Sequence, residues 1–175
     1  MIKYLGIILI VGLLSISCSS FRGVDPDIIN DKKNQAAEQA QLGSKFFAES
    51  DYEQALDFFF LSLKTNISVD NEKGIIVSYI SIGKTYFASG DLSTAAIYYN
   101  KAVEIADFIE DPVLKAQCFI NIGELFLAEA NYKEAALSFN NANKFIEDLG
   151  EIEEKAIILH NIGIVHKRHN EFTKA

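Results

Sequence analysis

The chain is poor in the residues that interrupt regular structure. Proline occurs only at Pro26 and Pro112, and outside a set of regularly spaced positions glycine is sparse. No low-complexity tract appears, which excludes collagen-like and linker-like readings and leaves room for long uninterrupted helices. There is no glycine-rich phosphate loop following a strand, and no convincing strand, so nucleotide-binding α/β architectures are excluded. Cysteine is limited to Cys18 and Cys118, too few for a disulfide framework. Positive charge is also short: 16 Lys and Arg stand against 24 Asp and Glu, a net charge of −8. That balance argues against nucleic acid and against adhesion to anionic lipid. At 175 residues, 49% hydrophobic and 23% charged, enough apolar material remains for a domain-sized core.

What is present is a period of forty. In Asn121–Ala142, Gly123, Ala135 and Ala142 alternate with Phe126, Tyr132 and Phe139. Forty positions earlier stand Gly83, Ala95 and Ala102 with Tyr86, Leu92 and Tyr99, and forty earlier again Gly43 and Ala55 with Phe46, Tyr52 and Phe59. Forty positions later stand Gly163, Phe172 and Ala175. One helical hairpin cannot bury its own apolar face, so a repeat of this length predicts stacked hairpins. A mid-helix glycine costs roughly 1 kcal/mol against alanine, so four at one register predict a close contact, most simply a partner backbone. The expected helices are Lys33 to Glu49 with Tyr52 to Thr65, Glu72 to Ala88 with Leu92 to Phe108, and Pro112 to Ala128 with Tyr132 to Leu149. Asp111-Pro112 is a strong helix start, Ser50-Asp51 and Ser89-Gly90-Asp91 are breaks, and Gly150 is a C-cap. A last helix from Ile152 to His169 is expected to be followed by one beginning near Glu171, leaving the fourth hairpin incomplete at Ala175 and implying either continuation beyond it or a reading frame that has been cut.

The run Tyr79-x2-Ile82-Gly83-x2-Tyr86 with Ala95-x3-Tyr99, and its copy Phe119-x2-Ile122-Gly123-x2-Phe126 with Ala135-x3-Phe139, resemble the tetratricopeptide repeat. The resemblance covers about residues 36–175, in the longer form with a forty-residue unit, and lacks the proline near the end of the usual unit. It implies an all-α, TPR-like solenoid of stacked antiparallel helix pairs in a right-handed superhelix, with the first helix of each pair lining a concave groove. It also implies that Asn121 and Asn161, two residues before the repeat glycine, hydrogen-bond a ligand backbone, with Ser81 and Gln41 in the same place. A solvated polar helix face is the plainer reading of those four. Further groove candidates are Lys84, Phe87, Gln117, Ile120, Glu124, Leu127, Ile164, Lys167 and Arg168. Of these, Lys84, Lys167 and Arg168 have the charge to meet a carboxylate.

The N-terminus has a different character. Lys3 precedes an apolar stretch from Leu5 to Ile16 that is short for a bilayer span and reads as a signal peptide over residues 1–17. Its ending, Leu14-Ser15-Ile16-Ser17-Cys18, resembles a bacterial lipoprotein signal, in which Cys18 is acylated. Leu14 lies four residues before Cys18 rather than the usual three, a looseness similar to that of spirochaetal lipoproteins. Cleavage without lipid and an uncleaved anchor are the alternatives. Residues 18–32 read as a tether and 33–175 as the repeat array, with units near 33–68, 72–110, 112–150 and 152–175. Removing residues 1–17 would delete Lys3 and move the net charge from −8 to −9. With Cys18 acylated, Cys118 is left as a lone thiol, read as a buried small apolar residue.

No catalytic constellation stands out. His160, His166 and His169 fall on one predicted helix, but no carboxylate or cysteine there completes a metal site, and His166 occupies the register of Phe46, Tyr86 and Phe126. The expectation is a non-enzymatic scaffold in the bacterial cell envelope, without cofactor or metal. It would be anchored to the membrane through an N-terminal lipid and bind a segment of another protein in its groove. Proteins of similar design assist outer-membrane assembly, pilus secretin assembly or transport complexes. Two other readings are a docking part of a longer enzyme or signalling protein, and a ligand-binding accessory of a transporter.

Overall fold

The computed structural model describes residues 25–147, 149 and 152–172, and among them every regular element is a helix. The elements are α1 (Pro26–Ala48), α2 (Tyr52–Ile67), α3 (Glu72–Ala88), α4 (Leu92–Ala106), α5 (Pro112–Ala128), α6 (Tyr132–Ile146) and α7 (Ile152–Phe172). The chain divides into two compact units, Met1–Asp31 and Lys32–Ala175. Of the first, residues 25–31 are described, and they are helical from Pro26. The expected lipidation site at Cys18, the signal peptide, the C-cap Gly150 and the terminal Ala175 lie outside the described residues. Among those described, no helix is long and apolar enough to cross a membrane.

The helix ends follow local chemistry. Asp51, Asp91 and Asp111 each accept a hydrogen bond from the backbone N–H three residues on, at 3.2, 3.0 and 3.1 Å, filling one of the donors that a helix start leaves open. Between paired helices the chain reverses through a left-handed residue at one register: Ser50 at φ 60°, Gly90 at φ 90° and Ala130 at φ 60°. Only glycine adopts that conformation without steric cost.

Four expectations about helix bounds are corrected. α1 starts at Pro26 rather than Lys33, because Asp25-Pro26 is a helix start of the same kind as Asp111-Pro112, with the Asp25 carboxylate accepting from the Asp27 N–H at 3.0 Å. Part of the expected tether is therefore helical. α4 and α6 end at Ala106 and Ile146, short of Phe108 and Leu149. No helix begins near Glu171, since α7 continues through it to Phe172.

Packing explains the repeat. Ala55, Ala95 and Ala135 have no solvent exposure and let each second helix lie against its first. The repeat glycines serve that contact, but their partner is a ring and not a backbone. A Cβ on Gly43 would meet Phe59 at 2.7 Å, one on Gly83 would meet Tyr99 at 2.5 Å, and one on Gly123 would meet Phe139 at 2.5 Å. Each ring lies sixteen residues after its glycine. Among the described residues nothing lies within 4 Å of a Cβ on Gly163, and the position sixteen residues on, 179, is past the last residue of the sequence. Further rings join each pair, with Phe46 stacked on Phe58 at 5.4 Å, Tyr86 on Tyr98 at 5.7 Å and Phe119 on Phe145 at 5.7 Å. First helices of adjacent pairs approach at the backbone, α3 with α5 and α5 with α7, while second helices meet through long side chains such as Phe60 and Tyr98. The first helices therefore form the closer-spaced inner row of the Lys32–Ala175 unit.

Candidate functional site

Three helices of that inner row build one concavity. The C-terminal halves of α3, α5 and α7, with the turn into α6, enclose about 470 Å³ lined by Phe87, Glu124, Leu127, Ala128, Ala130, Tyr132, Ile164 and Arg168. Five of these were groove candidates from the sequence: Phe87, Glu124, Leu127, Ile164 and Arg168. Phe87, Leu127 and Ile164 give apolar walls. Glu124 and Arg168 bring opposite charges to the same space. Ala128 ends α5, Ala130 lies in the turn and Tyr132 starts α6, and sequence reasoning missed them because it searched only positions inside the first helices. The breaks at Ser50-Asp51 and Ser89-Gly90-Asp91, carried forward by the forty-residue period, were the available signal.

The asparagines are placed differently from expectation. Asn121 is 3% exposed and Asn161 8%, so neither lies on an open, solvated face. The Asn121 side-chain amide donates to the Gln117 carbonyl at 2.6 Å, and its Oδ1 is buried without a hydrogen-bond partner. The Asn161 amide donates to Glu124 Oε1 at 3.4 Å, tying α7 to α5 and holding that carboxylate. At the equivalent register Ser81 is half-buried and donates to the Val77 carbonyl at 2.9 Å, while Gln41 is exposed on α1. Ile120 is a second correction: it is 8% exposed and packs with Phe139 and Ile158 in the core, so it supports the groove from behind. Gln117 is half-buried, and Lys84 and Lys167 are exposed away from the concavity's lining. His160 and His166 are exposed on α7.

Beneath the concavity lies Tyr99, 1% exposed. Burial pushes its phenol well above the usual range, and the nearby Glu124 carboxylate adds to the shift. Among the described residues no group of three or more His, Cys, Asp or Glu side chains gathers in metal-binding distance. The arrangement offers an apolar socket with a charge of each sign on its wall, suited to recognising a side chain by shape and burial.

The tetratricopeptide repeat model matches residues 76–108, which covers most of α3 and the whole of α4. No curated protein sequence matches the chain. Among solved structures it is similar to BtubC (BKLC) from P. vanneervenii, at 19% identity and TM-score 0.69 over 89% of this chain and 62% of that one. It is similar to the Sgt2 TPR domain from Aspergillus fumigatus, at 15% identity and TM-score 0.62 over 81% of this chain and 83% of that domain. The Rap conjugation gene regulator of the plasmid pLS20, in complex with the Phr* peptide, gives 19% identity and TM-score 0.67 over 87% of this chain and 43% of that one. The chain thus spans less than two thirds of the BtubC and Rap chains. The molecule carries a tetratricopeptide repeat at residues 76–108 within a TPR-like α-solenoid of stacked helix pairs.

Proposed function

We propose that the protein is a non-catalytic interaction scaffold of the longer, forty-residue tetratricopeptide type, and that its inner concavity captures a segment of a partner protein. The observation that carries the reading is the convergence of Phe87, Leu127 and Ile164 from three successive first helices on one space of about 470 Å³. Such a socket takes an apolar side chain of a bound segment, with Glu124 and Arg168 fixing the polar groups beside it. Asn121 adds to it: its Oδ1 lacks a donor, and a backbone N–H brought by the partner would fill that need once the side chain turns outward. One structural neighbour is recorded in complex with a peptide, which supports a ligand of that size.

The test is selection of random peptides on the full chain, followed by Leu127→Glu with Ile164→Glu. Burying one apolar side chain is worth about 1.5–3 kcal/mol, so the charged pair should weaken selected peptides by about tenfold or more at unchanged helicity. Asn121→Ala with Asn161→Ala should weaken them to a lesser degree. Peptides that bind both double variants as tightly as the parent protein refute the groove.

Lipid anchoring through Cys18 in a bacterial envelope is the second half of the proposal, and it rests on the apolar stretch ending at that cysteine. Cys18→Ser should release the protein into the soluble fraction, and a processed form that stays on membranes refutes the anchor.

A further inference from the structure

The junctions between consecutive helix pairs recur every forty residues, and the first differs in kind from the other two. At the second junction the register holds Ile76, Tyr79, Ala102, Ile105, Ala106 and Cys118, all within one apolar cluster. At the third it holds Ala116, Phe119, Ala142, Phe145, Ile146 and Ile158, again apolar and packed. The first junction has Ala36, Gln39, Ser62, Thr65, Asn66 and Ser78 in those places. Five of these are polar, and all five are buried.

They form a bonded network. Ser62 Oγ donates to the Ala36 carbonyl at 2.8 Å and lies 3.4 Å from Ser78 Oγ. Asn66 Nδ2 donates towards Ser78 Oγ at 3.3 Å and Ser62 Oγ at 3.4 Å, Asn71 Nδ2 donates to Asn66 Oδ1 at 2.7 Å, and Thr65 Oγ1 donates to Gln39 Oε1 at 2.9 Å. The other junctions show that the fold closes with apolar side chains alone. Satisfied buried polar groups add little net stability over such packing, so this junction differs from the others in chemistry more than in strength.

A cavity of about 350 Å³ opens beside it, between α1, the end of α2 and the start of α3. The space exists because α1 carries Ala36, Ala37 and Ala40 where α3 carries Ile76, Val77 and Ile80. Its size lies within the range of about 300–1,000 Å³ that takes small molecules. Among the described residues the charged ones on its lining are Lys33 and Lys73, and Lys73 also pairs with Asp111 at 2.7 Å, which leaves Lys33 as the lining cation whose charge no neighbouring carboxylate answers. Asn71, the N-cap residue of α3, makes no side-chain cap bond because its amide turns to Asn66. The first turn of α3 brings Lys73 and Gly74 to the cavity wall, with the Asn66 and Asn71 side chains packed over Gly74 and Glu72 in the same turn.

We infer that this cavity binds a small organic anion, a monocarboxylate with a short apolar chain. The chain lies against Ala36, Ala37, Ala40 and Val77. The carboxylate meets Lys33, with Lys73 shared with Asp111 at the rim, and the Ser62–Asn66–Ser78 network forms a polar floor. The site is separate from the concavity between α3, α5 and α7.

The experiment follows backbone amide shifts of the full chain by NMR during titration with hexanoate, hexan-1-ol and hexylammonium. Hexanoate should shift Gly74 and Ser78 saturably, at least fivefold tighter than the alcohol, with no saturable response to hexylammonium. Lys33→Gln should weaken hexanoate by about two- to fivefold, the scale of one solvent-exposed charge. Ala37→Val with Ala40→Ile, which copies the residues α3 carries at the equivalent register, should abolish the response at unchanged helicity. Absence of saturable shifts, an equal response to hexan-1-ol, or a response that survives the two filling substitutions overturns the inference. The comparison of probes and Lys33→Gln decide the matter even if the filled variant does not fold.

Discussion

Replacing the repeat glycines one at a time by alanine should give opposite signs at Gly123 and Gly163. In Gly123→Ala the new Cβ would lie 2.5 Å from Phe139 Cε1 and 2.8 Å from Cδ1 and Cζ. Phe139 has no solvent exposure and is held among Ala135, Ala142, Ile146 and Ile158, so the ring cannot swing aside freely. Overpacking a filled core costs about 1–3 kcal/mol, against about 1 kcal/mol gained by exchanging glycine for alanine in a helix. The net result is a loss of up to about 2 kcal/mol. At Gly163 no atom lies within 4 Å of the added methyl, so the helix gain of about 1 kcal/mol stands alone. The two variants should therefore separate by about 1–3 kcal/mol, and a chain of this length moves its melting midpoint by about 2–4 °C per kcal/mol. Thermal melts followed by far-UV circular dichroism read that separation. In a Phe139→Leu background the penalty at Gly123 should shrink, since the two positions share one contact. If Gly123→Ala stabilises as much as Gly163→Ala, the ring does not occupy the glycine notch and the packing account of the repeat fails.

Two further outcomes follow from individual side chains. Burial, with a smaller contribution from Asp107, pushes the Cys118 thiol from 9.0 up to about 12. It should resist thiol reagents at pH 8 in the folded chain and react on unfolding, because the thiolate is the nucleophile. A folded-state value raised above the unfolded one gives stability that is full below about pH 9 and fades as pH rises towards 12, so Cys118→Ala should flatten that alkaline loss. Asp111 donates nothing and accepts twice: its carboxylate meets Lys73 Nζ at 2.7 Å and the Leu114 N–H at 3.1 Å, and these hold its pKa below 3.8. Asp111→Ala should cost about 1 kcal/mol through the lost cap, measured by urea unfolding. The contribution should be present above pH 4 and lost as pH falls through the lowered folded-state value.

The sequence by itself determined the helices and their pairing. Periodic spacing set the starts of α2, α3, α5 and α6, because caps such as Asp51 and Asp111 and the mid-repeat alanines act over a few residues. It also marked Gly43, Gly83 and Gly123 as contact points, and it named five of the side chains that line the inner concavity. Tertiary structure decided what touches those points. An aromatic ring and a neighbouring backbone place the same demand on a glycine, so only packing could distinguish them. The fate of Asn121, Asn161 and Ile120 was equally hidden: helical register gives the side of a helix, while burial depends on how near the next helix comes. The same holds at the first junction, where scattered Ser, Asn, Thr and Gln residues become one network, with a cavity beside it, once α1, α2 and α3 are brought together.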